Sequence, residues 1–340
     1  MFILNYDEND GFFDHMPPPI PAVAAKFGAS TASTDGEALG AEPFGLGPRV
    51  PALIVSPWSK GGWVNSEVFD HTSVIRFLEA RFGVMEPNIT PWRRAVAGDL
   101  TSAFDFRAPD DRPVTVPAVT GLVERMMVSA MLAVPGIPAA QALPRQEPGQ
   151  RPARPLPYRL AMRDAVGEAI VLTFENSGGA GAVFQVVSAG PLQPGPWTYT
   201  VEAGKTLAGT IPVTADYDLT VFGPNGFFRH LKGSGPAPAR VEIRPDARND
   251  LVLNLFNDTD AALDFDIAGA YGDGPGRRLR VPAKGGIEDR RDVAGSGHWY
   301  DVTISAAGHP GWSRRLAGHI ETGRPSVSDP LIGHGAELKI

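Results

Sequence analysis

Apolar residues fall into two regimes along the chain. Up to about residue 106 they come as short unbroken runs and one helical stripe; beyond residue 158 they alternate with polar residues. The opening run Phe2-Ile3-Leu4 ends abruptly in Asn5-Tyr6-Asp7-Glu8-Asn9-Asp10-Gly11. A run of this kind predicts a buried parallel strand that delivers polar side chains past its carboxyl end, where open α/β sheets place ligands. Because such a strand needs paired neighbours on both edges, the chain is expected to start inside a larger domain. Val50-Pro51-Ala52-Leu53-Ile54-Val55 predicts a second short strand after an irregular, proline-rich stretch. Val74, Leu78 and Phe82 recur at four-residue spacing and predict a helix over 72–82. Asp70 or Thr72 suits its start, and Gly83 suits the left-handed position after its end. Residues 108–157 are dominated by proline and read as a linker, with one short helical stretch near Met126–Val134.

From Tyr158 onward the alternation has period two and the chain repeats itself. Ile170-Val171-Leu172-Thr173-Phe174-Glu175-Asn176 matches Leu251-Val252-Leu253-Asn254-Leu255-Phe256-Asn257, and Tyr217-Asp218-Leu219-Thr220-Val221 matches Tyr300-Asp301-Val302-Thr303-Ile304. Val201-Glu202-Ala203-Gly204-Lys205 answers Val281-Pro282-Ala283-Lys284-Gly285. A period of roughly 80–85 residues is too long for a solenoid unit and suits a small β-sandwich. The fold class expected is therefore a partial α/β sheet followed by two tandem all-β sandwiches. The expected divisions are 1–107, 108–157, 158–237 and 238–340.

Composition narrows the functions. A net charge of −7 disfavours a nucleic-acid partner, which would call for a clustered basic surface. No apolar run approaches the roughly 20 residues needed to cross a bilayer, so no transmembrane segment is expected. With no cysteine, disulfides, thiolate metal ligands and a cysteine nucleophile are excluded.

Few residues carry candidate chemistry. Asp7 and Glu8 can reach one hard cation if the strand has already turned, with Asn9 or Asp10 nearby; the plainer alternative is a solvated turn. His15 lies beside aromatics, where a structural role is the commoner one. His71 sits at a helix start, where a phosphate would be attracted, although capping by Asp70 or Thr72 explains the same pattern. Gly178-Gly179-Ala180-Gly181 has no helix after it and reads as a hairpin loop. A phosphate-binding P-loop, a dinucleotide fingerprint and a Gly-x-Ser-x-Gly elbow are all missing.

Longer motifs point to a family. Asn5 to Asp14-His15, Ser56-Pro57-Trp58-Ser59-Lys60-Gly61-Gly62-Trp63 running on to Asp70-His71-Thr72-Ser73, and Pro91-Trp92-Arg93-Arg94 with Gly98-Asp99-Leu100-Thr101-Ser102 resemble the catalytic domain of the bacterial phosphocholine-preferring phospholipase C and acid phosphatase family. Gln146-Glu147-Pro148-Gly149 followed by two β repeats resembles the C-terminal part of the same phospholipases. The resemblance implies an alkaline-phosphatase-like α/β fold and hydrolysis of phosphodiesters such as phosphatidylcholine or sphingomyelin at a membrane surface. It also implies a Ser or Thr nucleophile beside a divalent cation. By motif match, Asp7 and Glu8 are metal-site residues, His71 belongs to the phosphate site, and His15 and Asp70 support them. Asn9-Asp10-Gly11 stands where many relatives carry His-Gly-Gly, and this fits the phosphocholine-preferring branch better than the acid phosphatases.

The same resemblance implies that the nucleophile and the first metal ligands are to be expected N-terminal to the part present here. The chain alone is therefore expected to lack activity, and the whole protein to be secreted or periplasmic, with twin-arginine export one route. A phosphatase of the same superfamily and a non-enzymatic lipid- or surface-binding protein are the alternative readings.

Overall fold

A computed structural model describes residues 1–12, 16–134, 136–141, 149–190, 195–212, 216–271 and 276–332. The elements of the first half are β1 (Phe2–Asn5), β2 (Gly28–Ser30), the two-residue strands β3 (Ala38–Leu39) and β4 (Glu42–Pro43), β5 (Ala52–Val55), α1 (Thr72–Phe82), α2 (Pro91–Val96), α3 (Leu122–Ser129) and β6 (Pro152–Ala153). Strand β1 pairs with β5, but antiparallel, with Ile3 opposite Ile54. The expectation of a buried parallel strand is thereby corrected. Ile3 and Ile54 pack on Phe77, Leu100, Ala103 and Phe104. Phe2, Leu4, Leu53 and Val55 alternate onto the other face and are 42–62% exposed. A strand apolar on both faces has only one of them covered here.

Helix α1 begins where Asp70 Oδ1 accepts the Thr72 amide at 2.9 Å and ends at Gly83, whose φ of 70° is left-handed. The stripe that reveals the helix is not the one it buries. Ser73 and Phe77 point inward, whereas Ile75, Leu78 and Phe82 face solvent. Phe77 stacks on Phe104 with centroids 5.2 Å apart. Helix α2 is tied to α1 by Arg94, which grips both oxygens of Glu79 at 2.8 Å. The Arg94 hydrogen bonds push the Glu79 carboxyl down to about 2.

The second half repeats one seven-strand plan. Its first copy is β7 (Leu160–Val166), β8 (Ala169–Asn176), β9 (Ala182–Ser188), β10 (Trp197–Val201), β11 (Lys205–Pro212), β12 (Asp216–Phe222) and β13 (Phe228–Ser234). The second is β14 (Ala239–Pro245), β15 (Leu251–Asn257), β16 (Leu263–Gly269), β17 (Arg277–Val281), β18 (Gly286–Arg291), β19 (Trp299–Ala306) and β20 (Ser313–His319). Each copy packs a three-stranded sheet, β11-β8-β7 or β14-β15-β18, on four strands ordered β10-β9-β12-β13 or β17-β16-β19-β20. The core positions are the alternating ones, as two-layer packing requires. Ile170, Leu172 and Phe174 are fully buried in the first copy, and Leu253, Leu255 and Phe265 in the second. Equivalent asparagines lock equivalent turns. Asn176 Nδ2 donates to the carbonyls of Ala180 and Val201, and Asn257 Nδ2 to those of Ala261 and Val281.

The two sandwiches share a sheet. Phe228–Lys232 pair antiparallel with Ser313–Ala317, joining β13 to β20, and β2 adds parallel to β10 at the far edge. A nine-stranded sheet results. The stretch Gly178–Gly181, expected to be a hairpin loop, instead carries the chain from β8 in one layer to β9 in the other. It also docks on α2. The Gly181 amide donates to Ala95 O at 2.9 Å, and a β-carbon on Gly181 would lie 2.5 Å from that oxygen. Trp92, fully buried on α2, donates to Thr200 Oγ1 at 2.9 Å. The proline-rich stretch is anchored at its end, where β6 pairs with β21 (Ser326–Val327) and Arg154 packs its guanidinium 4.4 Å from the Trp63 ring centroid. Among the described residues no helix is long and apolar enough to cross a membrane.

Candidate functional site

The candidate site lies where β1 ends and α1 begins. After Asn5 the chain bends, and Asp7 and Glu8 are exposed, with no ion pair or hydrogen bond to described residues. The next residues close a tight turn. Asn9 Nδ2 donates to Phe12 O at 2.7 Å and the Phe12 amide to Asn9 O at 2.8 Å, with Asp10 and Gly11 at φ of 47° and 79°. Asn9 is therefore engaged within the turn and is not aimed at the two acids. The turn and the free carboxylates coexist, so the two readings of Asp7-Glu8 are not exclusive.

His71 comes to the same place. Its Nε2 lies 2.9 Å from Tyr6 O, one residue from Asp7. A carbonyl only accepts, so Nε2 carries the proton and Nδ1 is the basic nitrogen. The ring is exposed, and Nδ1 has no partner among the described residues. This bond ties the carboxyl end of β1, one residue before Asp7, to the start of α1, but Asp7, Glu8 and His71 are not grouped closely enough to hold a metal ion. His15 lies outside the described residues.

Asp70 has a different task. Its Oδ1 takes the Thr72 amide and, at 2.6 Å, the Thr72 hydroxyl; its Oδ2 takes Arg93 Nη1 at 2.8 Å. Arg93 also pairs with Glu37 at 3.0 Å and donates to Gly45 O. The positive end of α1 is thus already met by the Asp70 carboxylate. That supports capping for Asp70 and leaves His71, rather than the helix terminus, as the group able to address a phosphate. Glu37 and Arg93 escaped the sequence reading because their partners lie tens of residues away. Glu67 escaped it too. It is half-buried against Ser102, which donates to it, and Asn65 donates to Ser102 in turn. Burial raises the Glu67 carboxyl above its ordinary range, with Asp99 adding to the effect.

A protein-made zinc or calcium site draws three or more ligands from the chain, whereas magnesium is held by one or two carboxylates with water and substrate phosphates. No three His, Asp or Glu side chains among the described residues are grouped to hold a metal ion. Asp7 and Glu8 have the hard-oxygen chemistry for such an ion but do not make a complete site.

Comparison with known proteins fits this picture. The Phosphoesterase family matches residues 1–85, and the bacterial phospholipase C C-terminal domain matches twice, over 152–234 and 237–319. The non-hemolytic phospholipase C of Burkholderia pseudomallei is 46% identical over 97% of this chain and 50% of its own length. The non-hemolytic and hemolytic phospholipases C of Pseudomonas aeruginosa are 43% and 40% identical, each over 98% of this chain and about half of their own lengths. The chain thus spans about half the length of the curated relatives it matches. A Phosphoesterase segment followed by two such domains, in the order seen in the fold, makes this chain a member of the bacterial phospholipase C family.

Proposed function

We propose that this chain supplies one side of a phospholipase C active site, acting on phosphocholine esters such as phosphatidylcholine or sphingomyelin within a longer protein. The observation that carries the reading is the Tyr6 O–His71 bond, which holds an exposed imidazole at the strand end that runs on into the unpartnered Asp7 and Glu8. Asp7 and Glu8 would contribute oxygens to a divalent cation whose remaining ligands come from elsewhere in that protein. His71 Nδ1 would accept a proton or face the phosphate oxygens. Asp70 positions His71 by capping α1 and holding Arg93. The bare apolar face of β1 and β5 supports the same reading, because it has the composition of a sheet face covered by further structure.

The test is a fusion. This chain would be joined to the part of the Burkholderia phospholipase C that it does not span, and release of phosphocholine from phosphatidylcholine compared with cleavage of p-nitrophenyl phosphate. The expected result is phosphocholine release by the fusion and none by the 340-residue chain alone. Turnover by the isolated chain, or a fusion that cleaves only the phosphomonoester, would overturn the proposal.

A further inference from the structure

The two β repeats treat one equivalent arginine differently. Arg229 on β13 and Arg314 on β20 occupy matching positions, opposite Val221 and Ile304 respectively. Both are 2% exposed. Each reaches across the β13–β20 junction to the tyrosine of the other repeat: Arg229 Nη2 donates to Tyr300 Oη at 3.2 Å and Arg314 Nη2 to Tyr217 Oη at 3.1 Å. Each also gives Nη1 to two backbone carbonyls, those of Phe228 and Ala317 for Arg229 and of Lys232 and Ser313 for Arg314. The pair is related by an approximate two-fold axis.

The symmetry breaks at the remaining edge of the guanidinium. Arg314 presents Nε and Nη2 to Asp164 Oδ2, at 3.1 and 2.8 Å, and the Asp164 carboxylate is itself buried. Arg229 Nε is buried with no acceptor, and Arg229 pairs with no carboxylate among the described residues. The register explains why. Asp164 lies four residues beyond Leu160, the partner of Asn176; in the second repeat the partner of Asn257 is Ala239, and four residues on stands Ile243. Where one repeat supplies an acid, the other supplies isoleucine.

A cavity of about 380 Å³ lies at this place, with Arg229, Ile243 and Tyr300 on its wall. Its mouth carries the exposed Arg159, and the acids on its wall already have partners. Glu321 is held by His319, Asn225 and the Leu156 amide, and Asp246 by Arg290. A buried guanidinium without a counter-charge is costly. A space beside it large enough for a small ion and its waters offers the remedy.

We propose that this cavity between the repeats is an oxyanion site, in which a phosphate group occupies the place that Asp164 takes at the sister position. The anion would accept from Arg229 Nε and Nη2, the edge geometry that favours phosphate and carboxylate oxygens. The phosphate could arrive free in solution or as an anionic lipid headgroup, since both present the same oxygens.

The test uses the full chain and two probes. Inorganic phosphate is titrated calorimetrically and in thermal melts against sodium chloride at matched ionic strength, and phosphatidylglycerol vesicles are tested by co-sedimentation. Saturable phosphate binding that raises the melting temperature, with vesicle binding that phosphate displaces, would assign both sources to the site. Binding of phosphate alone would assign free anion, and binding of vesicles alone the headgroup. Ile243→Asp should restore the sister arrangement and weaken the bound probe by about tenfold or more, whereas the neutral Ile243→Asn should leave it within about threefold. Arg229→Lys keeps the charge but removes the Nε–Nη2 edge, and should give the same loss by a separate route. No binding of either probe by the wild-type chain, or binding undiminished by both Ile243→Asp and Arg229→Lys, would overturn the proposal.

Discussion

Strand β1 and the equivalent strands β8 and β15 are made of the same kinds of residue and end in opposite conditions. In β8 the inward residues Ile170, Leu172 and Phe174 are fully covered, and the strand ends in Asn176, whose amide is engaged with two backbone carbonyls. β15 does the same through Leu253, Leu255 and Asn257. In β1 one apolar face is bare and the strand runs into Asp7 and Glu8, which engage nothing among the described residues. A strand end whose polar groups are all bonded to its own turn is architecture. A strand end that runs into free carboxylates and holds an exposed imidazole on the Tyr6 carbonyl is where chemistry has room.

The comparison can be broken from the architectural side first. Phe174→Ala removes a fully buried ring that stacks on Phe184 and Tyr199, and is expected to cost about 3–5 kcal/mol in denaturant unfolding. A loss below about 1 kcal/mol would mean that the repeat core is far looser than its packing. Asp164→Ala strands the buried Arg314 and should cost about 3–5 kcal/mol, because removing one partner leaves an uncompensated charge. Asn257→Ala leaves the Val281 and Ala261 carbonyls without their donor, for about 1–3 kcal/mol, and Asn176→Ala should match it if the turns are equivalent.

Smaller effects sharpen the other side. The Glu79 carboxyl is held below its unfolded value, so its pairing with Arg94 stabilises the fold fully above the ordinary carboxylate range near 4.5. That contribution is lost as pH falls through about 2. The melting-temperature gap between wild type and Glu79→Gln should therefore be constant at neutral pH and close on acidification; a gap that widened below pH 4.5 would contradict the pairing. Smallest of all, Leu4→Ser and Leu53→Ser on the bare face should change stability by no more than about 0.5 kcal/mol while reducing self-association in sedimentation velocity.

Much of the β half was legible because alternation and repetition are local. Ile170 to Asn176 and Leu251 to Asn257 share one pattern of apolar positions, and both are central strands of three-stranded sheets. What escaped depends on contacts between distant segments. The β13–β20 pairing that fuses the two sandwiches leaves no mark in either strand, since an edge strand and a joined one carry the same pattern. Gly178–Gly181 reads as a hairpin because glycines mark turns; that the turn changes layers is set by Ala95 and Pro157, which approach its backbone. β1 was expected in a parallel sheet because it is apolar on both faces, but its neighbour β5 runs antiparallel. At the site, the motif resemblance drew attention to Asp7, Glu8, Asp70 and His71. The separate parts of Asp70 and His71 became visible only through Arg93, Thr72 and Tyr6.

Under the proposed function, the free end of β1 is catalytic and the closed ends of β8 and β15 are not. The most direct measurement is phosphocholine release by the fused full-length protein carrying Asp7→Asn with Glu8→Gln, set beside the same fusion carrying Asn176→Asp. The expected result is a fall of about a thousandfold or more in kcat/KM for the first, with the fold intact by circular dichroism, and activity within about tenfold of wild type for the second. Undiminished turnover without the Asp7 and Glu8 carboxylates would contradict it.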